Sequence, residues 1–310
     1  MVRSFFLLFV LSLPTISFSQ TEEIVSIEVD SCKLEGTLLL PISKKKMPVA
    51  LIIAGSGPTD RDGNNPMMKN NSLKMLAEGL ADNGIASLRY DKRGVGKSAY
   101  AGSKEIDLRF EHYVEDAKSW VDFLIDDKRF RDIIITGHSE GSLLGMIAAQ
   151  NKHVDKFVSL AGVGRPAADI LREQLGAQPP IVLETADPIL AKLENGETSD
   201  DVPPGLFTLF RPSVQPYLIS WFKYNPAKEI AHLDKPVLLI QGTTDIQVKT
   251  RDAELLSNSN TKAEIEIIEG MNHVLKPSVI DRMENIKTYN NPDLSLHEAL
   301  VPTIVSFIER

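Results

Sequence analysis

Gly137-His138-Ser139-Glu140-Gly141 is the stretch of this chain best suited to covalent chemistry. A serine hydroxyl becomes a useful nucleophile only when a base takes its proton and a third group orients that base. The G-x-S-x-G spacing meets a separate need. It allows a turn so tight that the residues two before and two after the serine must be almost free of side chain. On one side stands the β-branched run Ile133-Ile134-Ile135; on the other, Leu143, Leu144, Ile147 and Ala148 recur at helical spacing. The order is strand, sharp turn, helix, with Ser139 at the strand's C-terminal edge. The chemistry open to such a hydroxyl is acyl transfer.

The base and its orienting acid must then come from other loops at the same sheet edge. A catalytic order of Ser, then Asp or Glu, then His places both partners directly after later strands. Asp245 follows the apolar run 236–241, and His273 follows 264–269, with Glu269 the nearest competitor as the acid. Of the six histidines, His112 and His153 fall on helix or loop surfaces. His232 approaches a strand, His297 lies in the last helix, and His138 beside the serine is expected to point elsewhere. An attacked carbonyl also needs backbone N–H groups facing its oxygen. One is expected from Glu140 and the other from the loop after 48–54, with Ser56 first and Gly57 second.

The elements that position these loops follow from periodicity. Ile24, Val25, Ile27 and Val29, then Leu34, Leu38 and Leu40, read as two antiparallel strands turning at Asp30-Ser31, with Cys32 a strand residue. The continuous apolar run 48–54 reads as a strand covered on both faces. Asn71-Ser72 is expected to cap a helix ended by Asn83-Gly84, followed by a strand at 85–90. Val114, Ala117, Val121 and Leu124 make the helix before the serine's strand, 156–161 is the next strand, and a final helix is expected over 294–308. Alternating strands and helices call for right-handed crossovers and a mostly parallel sheet with helices on both faces.

That rhythm breaks over 164–230, where Pro179-Pro180, Pro188, Pro203-Pro204, Pro212, Pro216 and Pro226 punctuate helical pieces. This segment reads as an inserted helical cap on a core made of 20–163 and 231–310. Its residues Phe207, Leu209, Phe210, Tyr217, Leu218, Trp221, Phe222 and Tyr224 divide between cap core and an apolar acyl pocket, with Trp221 and Phe222 the candidates for substrate contact. Asp60, Arg61 and Asp62 could steer a polar substrate. The competing reading ties them to Arg93 or Lys92 in an ion-pair network.

Residues 1–19 carry Arg3 as their only charge, then an apolar block and small residues, the pattern of a secretory signal peptide and of a secreted or periplasmic protein. The formal charge of -8, with Lys44-Lys45-Lys46 the only basic run, argues against nucleic acid as a partner. Gly94-Val95-Gly96-Lys97-Ser98 has the ending of a phosphate-binding loop, but Asp91 stands where its first glycine belongs. Gly55-Ser56-Gly57 likewise lacks the third glycine of a dinucleotide fingerprint, with Asp60 in its place. Neither implies a cofactor.

Five strings together give a family likeness: 55–64 (GSGPTDRDGN), 89–98 (RYDKRGVGKS), 137–141, 241–245 and Asn272-His273. The chain resembles the α/β-hydrolases of the secreted bacterial carboxylesterase type, in their serine aminopeptidase-like branch, over nearly all of 20–310. The resemblance implies a triad of Ser139, Asp245 and His273, a cap over the site, no cofactor or metal, and hydrolysis of small carboxylic esters. A serine aminopeptidase or amidase is the alternative, with Glu140, Asp60 or Asp62 as the anion for a substrate ammonium. From another class, a binding protein that kept the fold and lost catalysis is the rival.

Overall fold

Side chains alternate across a strand, so a run buried on both faces feeds two separate cores. The computed structural model, which describes residues 20–98 and 104–310, shows this at β5 (Phe130–His138). Ile133 and Ile135 join one apolar cluster, and Ile134 joins the other. The same split recurs in β3 (Met47–Ile53), with Val49, Leu51 and Ile53 on the first face and Ala50 and Ile52 on the second. The expected signal peptide lies outside the described residues.

The remaining strands are β1 (Thr21–Val29), β2 (Cys32–Leu40), β4 (Ala86–Tyr90), β6 (Lys156–Leu160), β7 (Val237–Gly242) and β8 (Glu264–Ile268). They form one eight-stranded sheet in the order β1-β2-β4-β3-β5-β6-β7-β8. The β1–β2 and β2–β4 pairs are antiparallel and the rest parallel. Asp30 and Ser31 both have positive φ, 49° and 65°, which closes the β1–β2 hairpin with a twist that matches its strands. One face carries α2 (Phe110–Asp126) and α3 (Glu140–Ala148); the other carries α1 (Ser72–Asp82) and α11 (Leu300–Glu309). α9 (Thr250–Ser259) joins β7 to β8.

Between β6 and β7 run α4 (Ala167–Gly176), α5 (Pro180–Glu194), α6 (Phe207–Phe210), α7 (Gln215–Trp221) and α8 (Pro226–Ala231). Pro188 does not interrupt α5 as its sequence suggests. Its missing N–H leaves the Glu184 carbonyl without a helical partner, but both residues are exposed and water can serve that oxygen. Three other expectations need correction. α1 is not capped by the Asn71 side chain; the backbone oxygen of Asp62 accepts from the Leu73 and Lys74 amides instead. The final helix starts at Leu300 rather than 294. A short helix, α10 (Arg282–Thr288), stands where no element is expected, opened by Asp281 accepting from the Met283 and Glu284 amides.

The long loop after β3 is held by buried charge. Arg61 donates to Asp91 at 2.7 Å and Glu35 at 2.8 Å, and its own amide donates to Asp91 at 2.8 Å. Asp62 accepts from Arg89 at 2.8 Å, while Asp60 accepts from the amides of Asp62 and Asn64. Arg61 therefore clamps the loops after β3 and β4 together, Asp60 braces its own loop, and neither lines the cavities at the site. That corrects their assignment to substrate, and it replaces Arg93 and Lys92 as the expected ion-pair partners. Arg61→Met would leave the Asp91 carboxylate, which is 2% exposed, with the Arg61 and Lys97 amides but no cation. Unfolding in urea should show a loss of about 3–5 kcal/mol, the usual result of removing one partner from a buried pair.

Candidate active site

β5 delivers Ser139 at φ 55°, ψ -120°, a conformation that L residues adopt only under constraint. The constraint is close approach. A Cβ on Gly137 would sit 2.2 Å from the Gly141 carbonyl oxygen, and one on Gly141 would sit 2.3 Å from that of Ile53. No larger residue fits at either place. α3 begins at Glu140, so the positive end of its dipole and its unbonded first-turn amides lie beside the serine.

β7 ends at Gly242, and the turn after it carries Asp245, 2% exposed. One carboxylate oxygen accepts from the Gln247 and Val248 amides at 2.7 and 2.9 Å. The other accepts from Gln241 Nε2 at 3.0 Å and from His273 Nδ1 at 2.8 Å. Burial pushes the carboxyl's pKa up, but the His273 ring and these donors outweigh it and hold the group below its ordinary range. Glu269, the competing acid, is exposed. With Nδ1 committed to Asp245, His273 has Nε2 left for proton transfer.

Ser139 and His273 line one cavity of about 190 Å³, together with Gly55, Ser56, Thr59 and Gln247. Their side chains are not hydrogen-bonded to each other in this structure, and such catalytic bonds commonly tighten only around substrate. A second cavity of about 780 Å³ also reaches Ser139 and shares Ser56 and Gln247 with the first. Ser56, Gly57 and Glu140 line it at the serine's end; Val163, Ile170, Leu171, Leu175, Leu206 and Leu218 are part of its apolar wall. Among the described residues, the amides of Ser56 and Glu140 donate to no protein acceptor, so both are available to an anion.

The aromatic-rich segment divides as its composition implies. Tyr217 and Trp221 reach the large cavity with Leu209 and Leu218, whereas Phe210 is wholly buried in the core. Phe222 packs half-buried against that core and lines no part of the cavity, which corrects its assignment to substrate. His138, expected to point elsewhere, instead borders the small cavity beside Ser139 and His273. Its Nε2–H donates to the His273 backbone carbonyl at 2.8 Å, and the two rings stand 4.9 Å apart. Burial, then the neighbouring His273, pushes its pKa down to about 3, so it stays a neutral support for the His273 loop. The signal lay in its place beside the nucleophile of a tight elbow, which aims the flanking side chains under adjacent loops.

Residues 69–195 match the family model described as serine aminopeptidase, S33. That span contains Ser139 and ends before Asp245 and His273. Esterase EstD of Thermotoga maritima is 30% identical over 254 residues, which is 78% of this chain and 58% of EstD. The chain thus spans under two thirds of that relative's length. Among solved structures, Est1E from Butyrivibrio proteoclasticus, in a form with ferulic acid bound, superposes with a TM-score of 0.64 at 20% identity, covering 92% of this chain and 100% of that one. The alpha/beta hydrolase GrgF from Penicillium sp. sh18 gives 0.62 at 19%, covering 94% and 98%. Likeness at this identity establishes the fold, and the fold of this chain is that of the α/β-hydrolases.

Proposed function

We propose that this α/β-hydrolase-fold chain is a serine carboxylesterase. The observation that carries the reading is the 2.8 Å bond between His273 and buried Asp245, which turns the free ring nitrogen toward the cavity that strained Ser139 also lines. His273 takes the Ser139 proton as Oγ attacks the ester carbonyl. The amides of Glu140 and of Ser56 or Gly57 hold the developing oxyanion. His273 then protonates the leaving alcohol oxygen, and in the second half it activates the water that frees the acid. The helices between β6 and β7 act as the cap.

Because the leaving oxygen takes its proton from His273, the alcohol belongs in the small cavity and the acyl group in the large one. Volumes of about 190 and 780 Å³ then favour esters of a bulky apolar acid with a small alcohol. The ferulic acid held by Est1E is an acid of that bulk. An aminopeptidase would need a free anion for the substrate's ammonium. Glu140 is the one carboxylate lining the large cavity, and it already faces the Lys92 ammonium at 3.7 Å. Asp60 and Asp62 are engaged in the loop.

Esters of one alcohol with acids of rising length test the assignment. Leu171→Trp should cut kcat/KM for an octanoate ester by about tenfold or more while acetate changes less than threefold, within the range a filled apolar pocket discriminates. Equal losses for both would remove the acyl group from this cavity. Arg3 and the apolar block after it support export of the chain to the periplasm or beyond. A purified exported protein whose N-terminus is still Met1 would refute cleavage.

A further inference from the structure

Lys92, two residues after the end of β4, is 1% exposed, an unusual place for an ammonium. Its Nζ donates to the Gly55 carbonyl at 2.5 Å, faces Glu140 Oε1 at 3.7 Å and lies 5.1 Å from the centre of the Tyr113 ring. Glu140 is also 1% exposed; its carboxylate is approached by Lys92 and by the buried Tyr217 hydroxyl, but neither oxygen accepts a hydrogen bond of good geometry. Taking two charges out of water costs more than such a loose pair returns, so stability alone gives no reason for the arrangement.

The geometry gives another. The Gly55 carbonyl and the Ser56 N–H are opposite ends of one planar trans peptide, so whatever fixes the oxygen fixes the direction of the N–H. Within the loop, the Ser56 carbonyl accepts from the Thr59 hydroxyl at 2.9 Å, but Lys92 is the side chain that holds the Gly55 end of this peptide. Gly55 has no side chain, because a Cβ there would sit 3.1 Å from the Ser139 Cβ. Gly57, two residues on, has φ 70° and nothing around it within 4 Å of a Cβ. A carbonyl that accepts from an ammonium is also polarised, which strengthens the N–H at the other end of the same amide. At its far side the same cation faces the side chain of Glu140, whose backbone supplies the second N–H.

We propose that Lys92 is the positioning residue of the oxyanion hole: bound to the Gly55 carbonyl and facing the Glu140 carboxylate, it turns the Ser56 N–H toward the oxyanion and fixes it there. This rests on the serine-esterase reading. It predicts a defect confined to the transition state, since the ground-state ester gains little from an oxyanion donor.

The decisive protein is the double variant Lys92→Met, Glu140→Gln, which leaves no unpaired buried charge and keeps the Glu140 backbone amide. Its kcat for a nitrophenyl ester should fall about 10²–10³-fold with KM within threefold, the usual loss for one oxyanion donor. Affinity for a trifluoromethyl ketone, which forms a tetrahedral adduct on the serine, should fall by a similar factor. Wild-type kcat in the double variant would overturn the proposal, and so would a kcat loss with unchanged ketone affinity. Fluorophosphonate labelling of the wild type keeps the two readings apart: absent labelling at Ser139 defeats the esterase reading itself, before Lys92 is tested.

Discussion

Ser139→Ala is expected to lower turnover of a nitrophenyl ester by about 10⁴-fold or more, with folding preserved. The size follows from what the change removes. The hydroxyl is the atom that forms the acyl-enzyme, and without it only bound water assisted by His273 and the oxyanion donors remains. Folding survives because alanine keeps the Cβ that Gly55 packs against, and the backbone at φ 55° is held by close contacts at Gly137 and Gly141 rather than by the hydroxyl. Fluorophosphonate labelling should vanish with the activity. A folded Ser139→Ala protein that keeps its turnover would sink the nucleophile. A wild-type protein that takes no label would favour the binding-protein reading.

The elbow was legible in the sequence because both its glycines are required by close backbone approach, Gly137 against the Gly141 carbonyl and Gly141 against the Ile53 carbonyl of β3, while its signature lies in one short segment. Strand, turn and helix lie within a dozen residues, and backbone oxygens leave no room for a side chain at 137 or 141. The strands were legible for a related reason: runs such as 49–53 are buried on both faces, and periodicity reports burial. Partners across long separations were not. Asp60, Arg61 and Asp62 announce a charge cluster, but only the packing of β2 and β4 against the loop makes Glu35, Arg89 and Asp91 the partners. Lys92 looked like one more member of that cluster, and the fold takes it to the opposite side, under Gly55. α10 escaped notice because it is largely exposed, with Met283 at 72%. Asp281 three residues before Glu284 was the only signal there, a cap without an apolar stripe to follow. The aromatics of α6 and α7 could not be sorted by type, since packing core and lining a pocket ask for the same chemistry.

Asp245→Asn should be nearly as damaging as loss of the serine, by a different route. Both carboxylate oxygens are fully used: one by the Gln247 and Val248 amides, the other by Gln241 Nε2 and His273 Nδ1, four N–H donors in all. Asparagine has one oxygen to offer. Aimed at the two backbone amides, it turns its NH₂ group toward Gln241 and the imidazole. His273 can then meet that group only with a bare Nδ1, which moves the ring proton to Nε2 and leaves no lone pair for the Ser139 hydroxyl. A fall in kcat of about 10⁴ is the expected cost of the wrong tautomer, with KM little changed. Stability gives a second reading with a fixed sign. The folded-state pKa of Asp245 is lowered, so its ionised form stabilises the protein above the ordinary carboxylate value of about 3.9, and that contribution is lost as pH falls through the folded value. Asparagine has no such proton to take up. The stability gap between wild type and variant, followed by urea unfolding, should therefore be widest near neutrality and narrow below about pH 4. A gap that stays constant across that range would mean Asp245 is not held as a carboxylate by these donors, and a kcat loss under tenfold would remove it from the triad.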